Sequence, residues 1–444
     1  MTEIPLSHAQ QGMWFLERFS GTSFVDPMTF RLKGDLDAAA LRWSLEELVR
    51  RHEALRTRFP VTGGRPTQEV VPADRAGLAL PLTDLSGLPP EEREPELHRL
   101  LREDQDRRFD LARGPVVRAG LYRLGPREHV VRVTMHHIVS DAVSWWSILF
   151  RELERLYAAR RAGQPSPLGP VRAHYAAFVH WQRDWLESPA AARELAYWRR
   201  ELEGATPLPE LALARTPARP AGAGTGDRRA APHRRVATRW LTFPQPLYDA
   251  LRDYAGRERA TPFMVLLTAF SRLLHRHTGA HDLLVGTRAG FRGRPQFDHT
   301  VGFLVNLLPL RIQVPGDGDD FGDLLQAVRR STLGAYVHRT LPFERLVADL
   351  GLQRRGSRPV VNVCVSFQST PEVPPALGDL EVTLINHDPF SAFDLDLGFY
   401  EDDGALRALL THDPDQYDDE AAQSLLDDLQ QVLTSVLHSI ATEV

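Results

Sequence analysis

The chain has 444 residues, of which 43% are hydrophobic and 25% charged, and a formal net charge of −5. That length accommodates two or three domains with separate cores, and the composition is that of an ordinary globular protein. The weak negative charge, with arginines scattered among acids and Lys33 the only lysine, argues against a nucleic-acid or membrane-surface partner. Cys364 is the only cysteine, which rules out an internal disulfide. In the run VVNVCVSF it reads as a small buried apolar residue. No run is long and apolar enough to span a bilayer. The N-terminal MTEIPLSHAQ has neither the basic nor the apolar segment of a signal peptide, so a cytoplasmic location is the default expectation.

Taken in order, Ser7 to Phe19 predicts a capped amphipathic helix with Met13, Trp14 and Leu16 as apolar contacts. Thr29 to Leu32 is strand-like. Asp37 to Arg51 predicts a helix with Leu41, Leu45 and Leu48 on one face. After His52 to Phe59 come a turn at Gly63-Gly64, a strand around Gln68 to Val71 and a charged helix from Glu91 to Asp106. Gly120 to Leu124 and His129 to Met135 read as strands joined at Gly125-Pro126. Val130 to Tyr157 then passes from strand to helix: Val131, Val133 and Met135 alternate with Arg132 and Thr134, and Trp145, Ile148, Leu149, Leu153 and Leu156 follow at helical spacing. Ser140 or Asp141 is placed to cap that helix.

A linker from Gly163 to Pro170 leads to helices at Tyr175 to Trp185 and Arg193 to Leu202. Thr206 to Pro232 predicts a long surface loop. Its Gly222-Ala-Gly224-Thr-Gly226 resembles a nucleotide loop only superficially, because no strand precedes it and no helix promptly follows. The second half predicts a strand at Arg239 to Phe243 and helices at Pro246 to Arg257 and Thr261 to His275, the latter capped by Thr261 with Pro262 at its first position. A strand at Asp282 to Thr287 follows, then a buried strand pair or one bent strand at Val301 to Ile312, and a helix at Asp320 to Val337. Strands at Val360 to Gln368 and Leu380 to Ile385 precede a hairpin turning at Asp403-Gly404, and Asp418 to Thr442 is the closing helix. The fold class is α/β, in two halves divided as 1–175 and 176–444.

His136, His137 and Asp141 lie at the strand–helix junction. A histidine can take a proton near neutral pH, so His137 directed into a cleft could deprotonate or orient an attacking nucleophile. His136, pointing to the opposite face, is then structural, and Asp141 can fix the loop by capping or by pairing with an arginine. On two histidines and one aspartate alone, a packed histidine at a strand end is the favoured reading, because short motifs recur by chance. A metal site is the weaker reading, since adjacent histidines diverge and no third ligand stands at recognisable spacing. Covalent serine chemistry and nucleotide use have no G-x-S-x-G elbow or P-loop to support them.

Seven stretches, in order, resemble the motifs of the condensation domains of nonribosomal peptide synthetases. They are Ser7 to Leu16 (SHAQQGMWFL), Arg51 to Phe59 (RHEALRTRF), Met135 to Leu149 (MHHIVSDAVSWWSIL), Tyr175 to Trp181 (YAAFVHW), Val301 to Arg311 (VGFLVNLLPLR), His338 to Glu344 (HRTLPFE) and Arg354 to Gln368 (RRGSRPVVNVCVSFQ). The resemblance implies two chloramphenicol-acetyltransferase-like lobes arranged as a V-shaped pseudodimer, with an active-site tunnel between them. It implies a catalytic His137, structural His136 and Asp141, an Arg292 pairing with Asp141, and Ala142, Ser144 and Asn306 along the tunnel. The donor would be an acyl or aminoacyl thioester on the phosphopantetheine arm of a peptidyl carrier protein. The acceptor would be an amine or hydroxyl, small or carrier-bound, and the chain itself would bind no cofactor. Backbone N–H groups near Ser144 are the expected oxyanion donors.

The chain departs from the family pattern at three positions: Ala142 stands for the usual Gly, Leu307 for Thr and Arg288 for Pro. Ala142 would narrow the tunnel or bias the backbone. The first matching stretch begins almost at the initiator Met and nothing resembles an adenylation or carrier domain, so a free-standing condensation enzyme is expected. Two other functions compete with it: a non-catalytic docking module that recruits partner enzymes, and an acyltransferase of the same superfamily that uses acyl-CoA.

Overall fold

The computed structural model describes residues 4–20, 23–209, 211, 236–316, 320–351, 360–368, 372–385, 391, 393–402 and 404–442. The Gly222–Gly226 stretch, the start of the 354–368 stretch and Asp403 of the expected hairpin turn lie outside them.

The N-terminal elements are β1 (Ile4–Pro5), α1 (His8–Ser20), β2 (Val25–Lys33), α2 (Ala38–Arg51), β3 (Thr57–Arg58), β4 (Val61–Thr62), β5 (Arg65–Val70), β6 (Leu82–Asp84), α3 (Pro90–Asp106), β7 (Val117–Gly125), β8 (Glu128–His136), α4 (Phe150–Arg161) and α5 (Tyr175–Leu186). Their starts follow from capping chemistry. Ser7 and Gln10 form a reciprocal box, with Gln10 N donating to Ser7 Oγ and Ser7 N to Gln10 Oε1, both at 3.1 Å. Asp37 Oδ1 accepts from Ala40 N at 2.8 Å. Gly63 and Gly64 turn the β4–β5 hairpin with φ of 57° and 79°, a conformation that costs a residue bearing a Cβ.

The remaining elements are α6 (Pro189–Glu201), β9 (Ala237–Thr242), α7 (Gln245–Arg257), α8 (Pro262–Thr278), β10 (Asp282–Gly290), β11 (Val305–Gln313), α9 (Phe321–Val337), α10 (Phe343–Asp349), β12 (Val363–Gln368), β13 (Glu381–Leu384), β14 (Leu395–Asp402), β15 (Ala405–His412) and α11 (Asp419–Thr442). α6 starts four residues earlier than the apolar pattern predicts, because Ser188 caps it with Pro189 at its first turn. Thr261, Asp320 and Asp418 cap α8, α9 and α11 through their side-chain oxygens. The predicted pair or bent strand at Val301 to Ile312 is instead one strand, β11, preceded by irregular backbone at 301–304.

These elements form two compact units. The first comprises Met1–Trp185, Arg292–Leu304 and Glu372–Phe390; the second comprises Leu186–Phe291, Val305–Pro371 and Ser391–Val444. In the first, the main sheet runs β13-β2-β8-β7-β6, and β1, β5, β3 and β4 form a smaller sheet. β2 is longer than its apolar pattern predicts and contains Pro27 opposite Thr134. The proline is tolerated because the pairing with β13 runs only over Phe30 to Lys33, so β2 is an edge where Pro27 lacks its N–H. Val131, Val133 and Met135 of β8 face α2 and α4. On the other face Leu97 and Leu101 of α3 pack with Leu85, Tyr122, Leu124 and Val130. Arg132 and Thr134, read from sequence as the polar face, are therefore buried too. Asp104 of α3 accepts from Arg132 Nε at 2.8 Å and Thr134 Oγ1 at 2.6 Å.

The second unit holds a mixed sheet, β11-β10-β12-β14-β15-β9, parallel at β10–β12 and β12–β14. α7, α8, α9 and α11 pack against one another and on this sheet. Cys364 is fully buried in β12, and burial pushes its thiol up to about 12. Both units are layered α/β structures, in agreement with the fold class read from sequence.

Candidate active site

β8 ends at His136, a single 3₁₀ turn follows at His137–Val139, and a π-helical turn at Ser144–Leu149 runs into α4. The wider π turn buries Ser144, Trp145, Trp146, Ile148 and Leu149 together, a run that the 3.6-residue period does not anticipate. The backbone around the histidines is fixed at several points. His137 N donates to Phe24 O at 2.9 Å, and Ile138 O accepts from Gln10 Nε2 at 3.1 Å.

His136 is fully buried. Its Nδ1 accepts from Ile138 N at 3.0 Å, so the proton belongs on Nε2, which lies 2.6 Å from Glu17 Oε2. This histidine anchors β8 to α1. His137 is different. Its side chain is 33% exposed, its ring meets Phe303 edge-on at 5.1 Å between centroids, and its Nδ1 lies 3.5 Å from Asp26 Oδ2.

Asp141 is the hub of the junction. Its Oδ1 accepts from Ser144 N (2.8 Å) and Ser144 Oγ (2.9 Å), and its Oδ2 from Arg292 Nη1 (2.7 Å) and Leu304 N (2.9 Å). Arg292 also donates through Nη2 to Thr300 O at 2.9 Å and Ser144 Oγ at 3.1 Å. The carboxylate thus caps the helix and holds the segment 292–304 against it. Gly302 fits there because it lacks a side chain: a Cβ would stand 2.0 Å from Tyr175 Cδ2. Tyr175 in turn donates to Phe303 O at 2.8 Å and lies 2.9 Å from Ser7 Oγ.

Two of the residues that the resemblance placed along the tunnel have their polar groups engaged within the protein. Ser144 is fully buried, with its N–H on Asp141 and its hydroxyl among Asp141, Arg292 and Gly302. Both groups of Ser144 are thus spent on the junction itself. Asn306 is also buried: Nδ2 donates to Arg339 O (2.9 Å) and Leu341 O (2.8 Å), and Oδ1 accepts from Phe343 N (2.9 Å). It holds the 339–343 turn that leads into α10, with both Nδ2 hydrogens donated within the protein. Ala142 is partly exposed and has ordinary backbone, since Arg259 is the only described non-glycine residue at positive φ. Its methyl group therefore adds bulk without backbone strain. Arg288, standing for Pro, donates across β12 to Asp396 Oδ1 at 2.9 Å.

Sequence reasoning missed Glu17 and Asp26. Glu17 lies four residues after the buried Met13 on the same face of α1. Asp26 shares its strand face with Met28, Phe30 and Leu32, all buried. A carboxylate on an apolar face was the available signal in each case. The Arg51–His52 pair of the second matching stretch serves α4: Glu152 accepts from Arg51 Nη2 at 3.0 Å and lies 2.8 Å from His52 Nε2. Among the described residues no group of three or more His, Cys, Asp or Glu side chains could hold a metal ion, and no helix is long and apolar enough to cross a membrane.

A buried hub, a partly exposed second histidine and a whole-length α/β pair of units define the class, and comparison with known proteins agrees. The Condensation domain family model matches residues 1–444, and the chain belongs to that family. It is similar to one of the linear gramicidin synthase proteins of Brevibacillus parabrevis, at 36% identity over 93% of this chain and 8% of that protein. It is also similar to the phosphinothricin tripeptide synthetase PhsC of Streptomyces viridochromogenes, at 40% identity over 79% of this chain and 31% of that protein. The chain thus spans a minor part of these relatives. Among solved structures it resembles the X-domain from teicoplanin biosynthesis in its complex with OxyB, with 26% identity, a TM-score of 0.83, and coverage of 99% of this chain and 94% of that one.

Proposed function

We propose that this condensation domain transfers an acyl or aminoacyl group from the phosphopantetheine thioester of a carrier protein to an amine or hydroxyl, with His137 as the base. The observation that carries the reading is the contrast within the motif. His136 and Asp141 are spent on buried partners, while the His137 imidazole is held by its backbone and keeps part of its ring open. In the reaction the acceptor's lone pair attacks the thioester carbonyl as His137 takes the N–H or O–H proton. Collapse of the tetrahedral intermediate breaks the C–S bond, and the proton passes to the departing thiolate. An amide or ester and the free thiol result. No acyl-enzyme is required, since holding both substrates together supplies much of the rate.

The decisive experiment is single-turnover transfer from a loaded carrier protein to amine and alcohol acceptors, followed by mass spectrometry. His137→Ala should fold normally and lose about 100-fold or more of the rate; full activity in that variant sinks the role. A second reading is favoured by the likeness to a domain solved with OxyB: a docking module that recruits a partner enzyme to the carrier protein. Wild-type protein that binds such a partner and transfers nothing supports that reading instead. Acyl-CoA offered beside the carrier-bound donor tests the acyl-CoA-dependent alternative.

A further inference from the structure

Asp26 lies outside the matching stretches, on β2 opposite Met135. Its Oδ2 accepts from Trp145 Nε1 at 2.7 Å and Ser140 Oγ at 3.3 Å. The two donors come from either side of Asp141, so the carboxylate is fixed to the same junction that positions the histidine. That Oδ2 is 3.5 Å from His137 Nδ1. Nδ1 is sealed from solvent and has no hydrogen-bond partner at this distance, yet the side chain as a whole is one-third exposed. The open edge of the ring is therefore the one away from Nδ1.

From this geometry we infer that Asp26 is a positioning residue that keeps the proton of neutral His137 on Nδ1 and so leaves Nε2 as the atom that accepts a proton. A buried nitrogen lone pair directed at a carboxylate is repelled, whereas an N–H there is attracted and needs only a few tenths of an ångström of closure to become a hydrogen bond. The adjacent His136 shows the opposite arrangement, with Nδ1 accepting from Ile138 N and Nε2 facing Glu17. The two histidines are thus held in opposite tautomers by two carboxylates on different elements. When His137 takes a proton from the acceptor, the imidazolium forms beside Asp26, whose negative charge favours it at the moment of transfer. This catalytic consequence rests on the proposed acyl transfer; the tautomer assignment does not.

The test is nitrogen-15 NMR of the ring nitrogens in the full chain, with the His137 signals assigned by their loss in His137→Ala. Spectra are recorded on the alkaline plateau of those signals. Wild type should show a protonated Nδ1 and an unprotonated Nε2, and Asp26→Ala should shift the population towards the Nε2–H form. Asp26→Asn, whose amide oxygen can still accept from Trp145 and His137, should preserve the tautomer and lose only the charge. In the transfer assay kcat should fall by about 10- to 100-fold in both variants with little change in KM, and Asp26→Glu should recover part of it. An Nε2–H ring in the wild type overturns the inference, as does an Asp26→Ala variant with unchanged tautomer. If the tautomer follows Asp26 but no form of the protein transfers an acyl group, the positioning stands and the proposed function fails.

Discussion

Asp141→Ala tests whether the family's aspartate holds the junction together. The carboxylate is 2% exposed and its arginine partner 11%, and four donors converge on it. Three of those bonds are to neutral donors, each worth about 1 kcal/mol net, and the guanidinium bond is worth about 1.5–3 kcal/mol. The larger consequence is that Arg292 would keep Ser144 and Thr300 as partners while losing its countercharge. Breaking a buried pair in this way costs about 3–5 kcal/mol. Against a total stability of about 5–15 kcal/mol, that lowers Tm by roughly 6–20 °C, or leaves the variant insoluble. Arg292→Leu removes the stranded charge, so the Asp141→Ala/Arg292→Leu double variant should recover about 1–3 kcal/mol relative to the sum of the single losses. Calorimetric melts of the four proteins decide it. An Asp141→Ala protein that melts within about 2 °C of wild type, or a strictly additive cycle, refutes the account.

Three further outcomes follow from the same geometry. Burial raises the Glu152 carboxyl, but hydrogen bonds from His52 and Arg51 outweigh it and hold the group at about 2. A depressed carboxyl stabilises above its unfolded value near 4.5 and loses that contribution as the pH falls towards 2. The stability advantage of wild type over Glu152→Gln, about 3 kcal/mol at pH 7, should therefore narrow progressively below pH about 4.5 in urea melts; a gap constant from pH 7 to 3 would contradict it. Gly302→Ala places a methyl group 2.0 Å from the Tyr175 ring and should cost about 1–3 kcal/mol through overpacking, measured as a lower urea midpoint. Asp104→Ala strands the buried Arg132 and the partly buried Arg118 and should cost about 3–5 kcal/mol, whereas Glu103→Ala, at a 61% exposed side chain, should stay within about 0.5 kcal/mol.

Much of the fold was legible because its determinants are local. The helix that begins after Ser7 is capped and Thr261 caps α8, as expected, and Asp37, Asp320 and Asp418, each the first residue of a predicted helix, cap theirs in the same way. What escaped depends on distant partners. Arg132 and Thr134 looked solvent-facing because their partner, Asp104, is about thirty residues away on a charged helix. α10 escaped because seven residues give too little apolar period to register. The family resemblance named His137, Asp141 and Arg292, and the last two form the expected pair. It also named Ser144 and Asn306, whose polar atoms turn out to be spent internally. Motif matching carried over the Asp141–Arg292 pair but not the internal partners of Ser144 and Asn306.

The first unit is assembled from three separated stretches of chain, which has a consequence for synthesis. Its strand β2 receives β13 only after some 350 further residues have been made, and Asp141 waits about 150 residues for Arg292. Closing such long loops carries an entropic cost and slows folding. A nascent chain that has emerged as far as Trp185 presents an unzipped sheet margin and an uncompensated buried acid, the kind of surface that invites pairing with a neighbouring nascent chain. Trimming the gene at the apparent boundary between the units should therefore give aggregates, whereas fragments co-expressed with the missing segments would have the means to fold.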